Sequence, residues 1–191
     1  MSMMTRLLIG LTVLGGMFSF LGGRDYWHAS KAGVTPEILT AAQLLARGAD
    51  GNPFVEVSGF VTGENFVYEE EHGKWQKVWM PFSPAEESAT PTSSVKAVLK
   101  SNRVHSEFDL AGEFDNPTVR GMIMNHVESL GKEEQKILTS SYPGTEASSI
   151  LILDVTKDPV AMKKQGAMFF GIGILSLFGA GVVGFFKFVR K

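Results

Sequence analysis

Two uncharged apolar runs, one at each end of the chain, constrain what it can fold into more than any other feature. Leu7–Gly23 holds 17 residues without a charge, and Gly166–Phe186 holds 21. A helix rises 1.5 Å per residue, so about 20 residues cross the roughly 30 Å hydrocarbon core of a bilayer. The second run meets that length. Lys163 and Lys164 precede it, and Lys187, Arg190 and Lys191 follow it, all with side chains long enough to reach headgroups. A core helix of a soluble domain shows a polar face over six turns, and this run has none.

The first run begins after a single cation, Arg6, which also describes the start of a signal peptide. It closes, however, as Phe18-Ser19-Phe20-Leu21-Gly22-Gly23, which lacks a small-x-small cleavage site. Tyr26, Trp27 and His28 follow as an interfacial anchor. An uncleaved signal anchor is the expectation.

Charge is segregated to match. All 20 acidic residues lie between Arg24 and Lys164, a stretch of 141 residues with 14 basic ones and a net charge of −6. An acidic middle repels a phosphate backbone, which excludes nucleic acid as a partner. A loop this long translocates largely regardless of its own charge, and a lone Arg before the first run keeps the amino terminus inside. Both tails are therefore expected in the cytoplasm and the middle outside it. The chain has no cysteine, which removes disulfides and thiolate chemistry, and its five Asn residues form no glycosylation sequon. A bacterial inner membrane with a periplasmic central domain suits these features.

Small residues recur every four positions in both runs: Gly15, Ser19 and Gly23 in the first, Ser176, Ala180 and Gly184 in the second. That spacing puts each set on one helix face, where small side chains permit close packing in lipid. Self-association through these faces is one expected partnership, beside the bilayer itself and another membrane or periplasmic protein.

Four segments follow: a cytoplasmic tail and first span over 1–23, a juxtamembrane segment with a short helix over 24–52, a β-rich domain over 53–159, and a second span with a basic tail over 160–191. Thr35-Pro36-Glu37 predicts a helix start, with Thr35 as the cap and Gly48 as the stop. Val- and Phe-rich stretches then predict strands over Phe54–Thr62, with a bend at Gly59, and over Asn65–Glu70 and Lys74–Phe82 around a Glu71-His72-Gly73 hairpin loop. Ser83–Ser94 reads as a loop. Val95–Lys100 alternates as a half-buried strand, and short strands are expected near Phe108–Phe114 and Thr118–Asn125. Lys132–Ser140 predicts a helix, and Ile150–Val155, apolar on both faces, a central strand. The expected fold is two transmembrane helices flanking a mainly-β (α+β) extracytoplasmic domain, built as a small antiparallel barrel or sandwich of OB-like type.

No nucleophile or metal motif is present. His28, His72, His105 and His126 stand in no ligand spacing, and Glu69-Glu70-Glu71-His72 reads as a solvated hairpin tip, since successive strand residues point to opposite faces. No catalytic, cofactor-binding or metal-binding residue is expected. Trp75 and Trp79 are the candidate partner-binding residues: two positions apart in the alternation, they should share the face opposite Val78, Met80 and Phe82. The expected function is a non-enzymatic, membrane-anchored accessory, assembly or scaffolding protein. The competing readings are a hydrolase or metal-dependent enzyme using His105, His126 and nearby carboxylates, and a two-span channel or transporter subunit.

Overall fold

The computed structural model describes residues 3–48, 51–85, 94–125 and 127–189. The chain runs α1 (Met3–Lys31), β1 (Glu37–Thr40), α2 (Ala41–Arg47), β2 (Phe54–Ser58), β3 (Phe60–Thr62), β4 (Val67–Glu71), β5 (Lys74–Pro84), β6 (Ala97–Ser101), α3 (Leu110–Phe114), β7 (Thr118–Ile123), α4 (Lys132–Ser141), β8 (Leu151–Asp154) and α5 (Pro159–Val189). It divides into two compact units, the terminal helices and a domain over Lys31–Pro159. Two long apolar helices thus flank a mixed α+β sheet domain. Both helices are long and apolar enough to cross a membrane, and only 6% and 11% of their most apolar windows are buried.

The domain carries one sheet in the order β1-β2-β7-β8-β6-β5-β3, with β4 also on β5. The expected antiparallel sheet is found in part: five pairings among the described residues are antiparallel, but β1 runs parallel to β2, and β6 parallel to β8, so the sheet is mixed. A parallel pair needs a long crossover, and the 49 residues between β6 and β8, which contain α3, β7 and α4, supply it. Another feature constrains the sheet's shape. β2 and β3 are separated only by Gly59, at φ 64°, yet β2 pairs with β7 while β3 pairs with β5 at the far end of the path. The strand therefore bends sharply at this glycine and links β3, at one end of the path, to β2, next to the other end, and a left-handed φ is what glycine adopts without strain.

Register assigns the two faces. Val55, Val57, Val78, Met80, Phe82, Ala97, Leu99, Val119, Ile123, Leu151 and Leu153 point to one side and form the main core with Leu44 of α2 and Phe114 of α3. The opposite side carries Phe54, Trp79, Val98, Met122 and Ile152, all buried. Leu138 and Tyr142, at the end of α4, are buried as well, and the Tyr142 hydroxyl donates to the Asn65 carbonyl at 3.0 Å.

Several local expectations change. Glu37–Thr40 is a strand, and the helix starts at Thr40, whose hydroxyl accepts from the Gln43 N–H while the Gln43 side chain accepts from the Thr40 N–H. Thr40-x-x-Gln43 is a capping box, a stronger start signal than Thr35-Pro36, and β-branched Ile38 and Thr40 favour the extended form before it. The segment expected as a strand near Phe108–Phe114 is a short 3-10 turn followed by α3. Asp109 holds that turn, accepting from the His105 N–H and the Ser106 hydroxyl at 3.0 Å each. Central position makes β6 buried at every residue rather than half-buried. β8, between β6 and β7, is likewise buried throughout. The loop expected over Ser83–Ser94 falls largely on residues outside the described ones, as do Arg190 and Lys191.

Candidate functional site

The two tryptophans singled out by the sequence do not share a face. Glu69 pairs with Lys77 and Glu70 pairs with Trp75, so Gln76 is an extra residue in β5, a bulge. One inserted residue inverts the alternation, because the side-chain period of a strand is two. Trp79 consequently lies on the outer face, only 4% exposed, opposite Val67 and Lys100. Trp75 turns to the Val78 side, packs against the main core, and stacks on Tyr68 with ring centroids 4.5 Å apart. Phe66 completes this group at 5.5 Å from Trp75. Of the pair proposed for partner contact, only Trp75, half-buried beside a 44%-exposed Tyr68, has a ring near solvent.

The hairpin tip below this group reads as the sequence implies. His72 and Gly73 adopt φ 54° and 74°, the positive pair that a two-residue hairpin turn requires. His72 is solvent-exposed, with its Nδ1 3.7 Å from Glu71. His105 is tied elsewhere, its Nδ1 2.9 Å from the Trp75 carbonyl oxygen. His126 lies outside the described residues. Among the described residues no group of His, Asp or Glu is arranged to hold a metal ion.

A buried charged network lies on the outer face, in the same cross-strand row as Trp79. Reading across the sheet, that row is Val67, Trp79, Lys100, Asp154, Met122 and Phe54. The Lys100 ammonium donates to both Glu128 oxygens at 2.5 and 2.6 Å and lies 3.3 Å from Asp154 Oδ2. Asp154, 1% exposed, spends its other oxygen on the Thr156 N–H at 3.0 Å and the Thr156 hydroxyl at 2.6 Å. A buried carboxylate is tolerated only when its lone pairs are so occupied. The alternation of Lys96, Val98 and Lys100 hides this role, since it resembles a solvated face. The hint in the sequence is Asp154 closing an otherwise apolar strand.

Among the described residues of the domain, Lys77, Asp109 and Tyr142 depart from their ordinary behaviour. The Lys77 ammonium is held up chiefly by its hydrogen bond to Glu69 at 2.6 Å. The Asp109 carboxyl is held down by the backbone N–H of His105 and the Ser106 hydroxyl. Burial pushes the Tyr142 phenol up.

The helix-packing residues fall in the other unit. α1 and α5 lie side by side and antiparallel, backbone against backbone. A Cβ on Gly15 would sit 3.0 Å from the Gly173 carbonyl, and one on Gly22 would sit 2.6 Å from the Gly166 carbonyl. Farther along, a Cβ on Gly184 would lie 3.6 Å from the Leu8 side chain. Ser19 faces Gly173. Gly23 is displaced to the edge, near the Phe170 ring, and Gly22 takes the central place. On α5, Gly166, Gly173 and buried Ala180 recur every seven residues. Ser176, three residues after Gly173, bonds its own Ile172 carbonyl at 2.9 Å. The seven-residue period keeps one seam facing its neighbour along a long antiparallel pair, which a four-residue stripe drifts away from.

Comparison of the chain with known protein families, curated proteins and solved structures found no significant match.

Proposed function

We propose that this chain is a non-enzymatic accessory, assembly or scaffolding protein anchored in a bacterial inner membrane. Its terminal helices cross the bilayer as a hairpin, both tails lie in the cytoplasm, and the sheet domain acts outside it. The glycine-lined seam is the observation that carries this reading. Backbone contact uses one stripe of each helix and leaves Leu14, Met17, Phe20, Leu175, Phe178 and Phe185 exposed. In water that much apolar surface drives association, whereas hydrocarbon is the solvent it matches. A hairpin closed by backbone contact encloses no water path, so a channel would need several copies around a shared pore.

For the domain we infer an OB-type barrel. Its support is the bent β2–β3 strand joining one end of the sheet path to the strand next to the other end, the parallel β6·β8 pair, and α3 between β6 and β7 with Phe114 in the core. Fold likeness brings no ligand with it. The Tyr68–Trp75 stack offers an aromatic surface on this domain, and a protein partner is the reading it favours.

Reporter fusions after Gly48 and after Lys191 test the topology. Opposite sides of the membrane are expected, and a mature chain beginning near Arg24 would remove the first span. Pull-down from detergent extract tests the partner: Tyr68→Ala should release a copurifying protein while leaving the fold intact. Unchanged copurification would remove this face from the interface.

A further inference from the structure

We propose that a cleft bounded by Arg103, Arg120 and Lys157 binds a phosphate group, presented by an anionic lipid headgroup or by a small phosphate ester. The cleft encloses about 250 Å³. That is below the roughly 300–1,000 Å³ of sites for drug-sized molecules, and suits one headgroup.

The domain over 31–159 has 11 basic and 19 acidic residues, so three of its cations on one small cleft is a strong local departure. Three of its other cations are matched closely, Arg47 with Glu37 and Lys77 with Glu69, each at 2.6 Å, and Lys100 with Glu128 and Asp154. The cations of the cleft are not. Arg103 approaches Glu113 only to 3.7 Å and is 61% exposed. Arg120 stands opposite Glu56 in the β2·β7 register, yet its guanidinium lies 4.5 Å over the Phe54 ring. Among the described residues neither Arg120 nor Lys157 takes part in an ion pair. Asp158 is the carboxylate on the rim.

Phe54 is 2% exposed, so the ring beneath Arg120 is fixed in place. A guanidinium stacked on a ring keeps its N–H edges available, and a planar fork of donors matches phosphate oxygens. Lys157 is positioned by the turn that Asp154 organises through Thr156, and adds a point charge. The acidic surface around the cleft repels a polyanion but not a single phosphate held by local cations.

The lipid source rests on the two-span reading. Lys157 stands two residues before α5, and the uncharged run begins at Gly166, seven residues into that helix. Eight residues, 158–165, thus separate Lys157 from the uncharged run, a short chain path to a lipid headgroup.

The test uses the full chain in neutral detergent micelles, with thermal unfolding followed by tryptophan fluorescence at matched ionic strength. One arm titrates inorganic phosphate, and the other dopes the micelles with phosphatidylglycerol against phosphatidylcholine. A saturable rise in Tm with phosphate identifies a soluble ester as the source, and a rise with phosphatidylglycerol alone identifies the headgroup. Arg103→Gln with Arg120→Gln, and separately Lys157→Gln, should weaken the midpoint about tenfold or more. Lys132→Gln, on α4, should leave it unchanged. A Tm indifferent to both probes, or a response that survives in every cleft variant, overturns the proposal. A phosphate response in a chain that alkaline carbonate strips from membranes would instead sink the two-span reading and leave the cleft standing.

Discussion

Replacing Lys100 by Met should destabilise the domain more than any other single change of charge. The methionine fills the same space, so the loss is electrostatic rather than a cavity. It strands Asp154, 1% exposed, whose Oδ2 then has no cation within 3.3 Å. Glu128 keeps 29% of its side chain exposed and can turn to water, so Asp154 carries most of the penalty. Breaking a buried pair from one side costs about 3–5 kcal/mol. A domain of this size loses roughly 3–5 °C of Tm per kcal/mol, so the shift should be on the order of 10–20 °C. Trp79, the register neighbour of Lys100, makes fluorescence-detected thermal unfolding of the full chain in detergent a direct assay. The partner variant is Asp154→Asn, whose amide oxygen still accepts from Thr156. Lys100→Met combined with Asp154→Asn should recover at least half of the loss, because no uncompensated buried charge remains. If the double variant is as unstable as the sum of the two singles, the charges are not coupled and the reasoning fails.

Three further outcomes follow from the same geometry. Trp79→Ala should destabilise by about 3–5 kcal/mol and Trp75→Ala by clearly less, with additive effects in the double variant because the bulge puts the rings on opposite faces; calorimetry of both singles and the double decides it. Gly22→Ala or Gly173→Ala should open the helix seam, since a Cβ there would lie 2.4 Å from backbone atoms of the other helix, while Gly16→Ala and Gly171→Ala meet open space and should be silent; protease resistance in micelles separates the two classes. The buried Tyr142 phenol binds its proton more tightly folded than unfolded, so its contribution is fully present below about pH 10, the unfolded value, and is lost as pH rises beyond it; Tyr142→Phe should flatten stability measured between pH 9 and 11.

Local chemistry and continuous apolar length set the features that can be read before any tertiary contact is known. Both long helices follow from uncharged runs that need no tertiary information, and the His72-Gly73 hairpin from a turn that demands positive φ. α4 and the central place of β8 were legible for the same reason, in a period or an apolar run unbroken over the element. Tertiary structure decided what depends on a partner strand or helix. No local signal marks Gln76 as a bulge, because the extra residue exists only relative to β4, yet it sends Trp75 and Trp79 to opposite faces. Likewise Lys100 becomes a buried ion-pair residue only once β6 is flanked by β5 and β8, and a strand alone cannot report how many neighbours it has. The α5 seam follows a seven-residue repeat, Gly166, Gly173 and Ala180, that the four-residue spacing in the sequence does not announce, because the facing helix, not the helix itself, sets which period stays in contact.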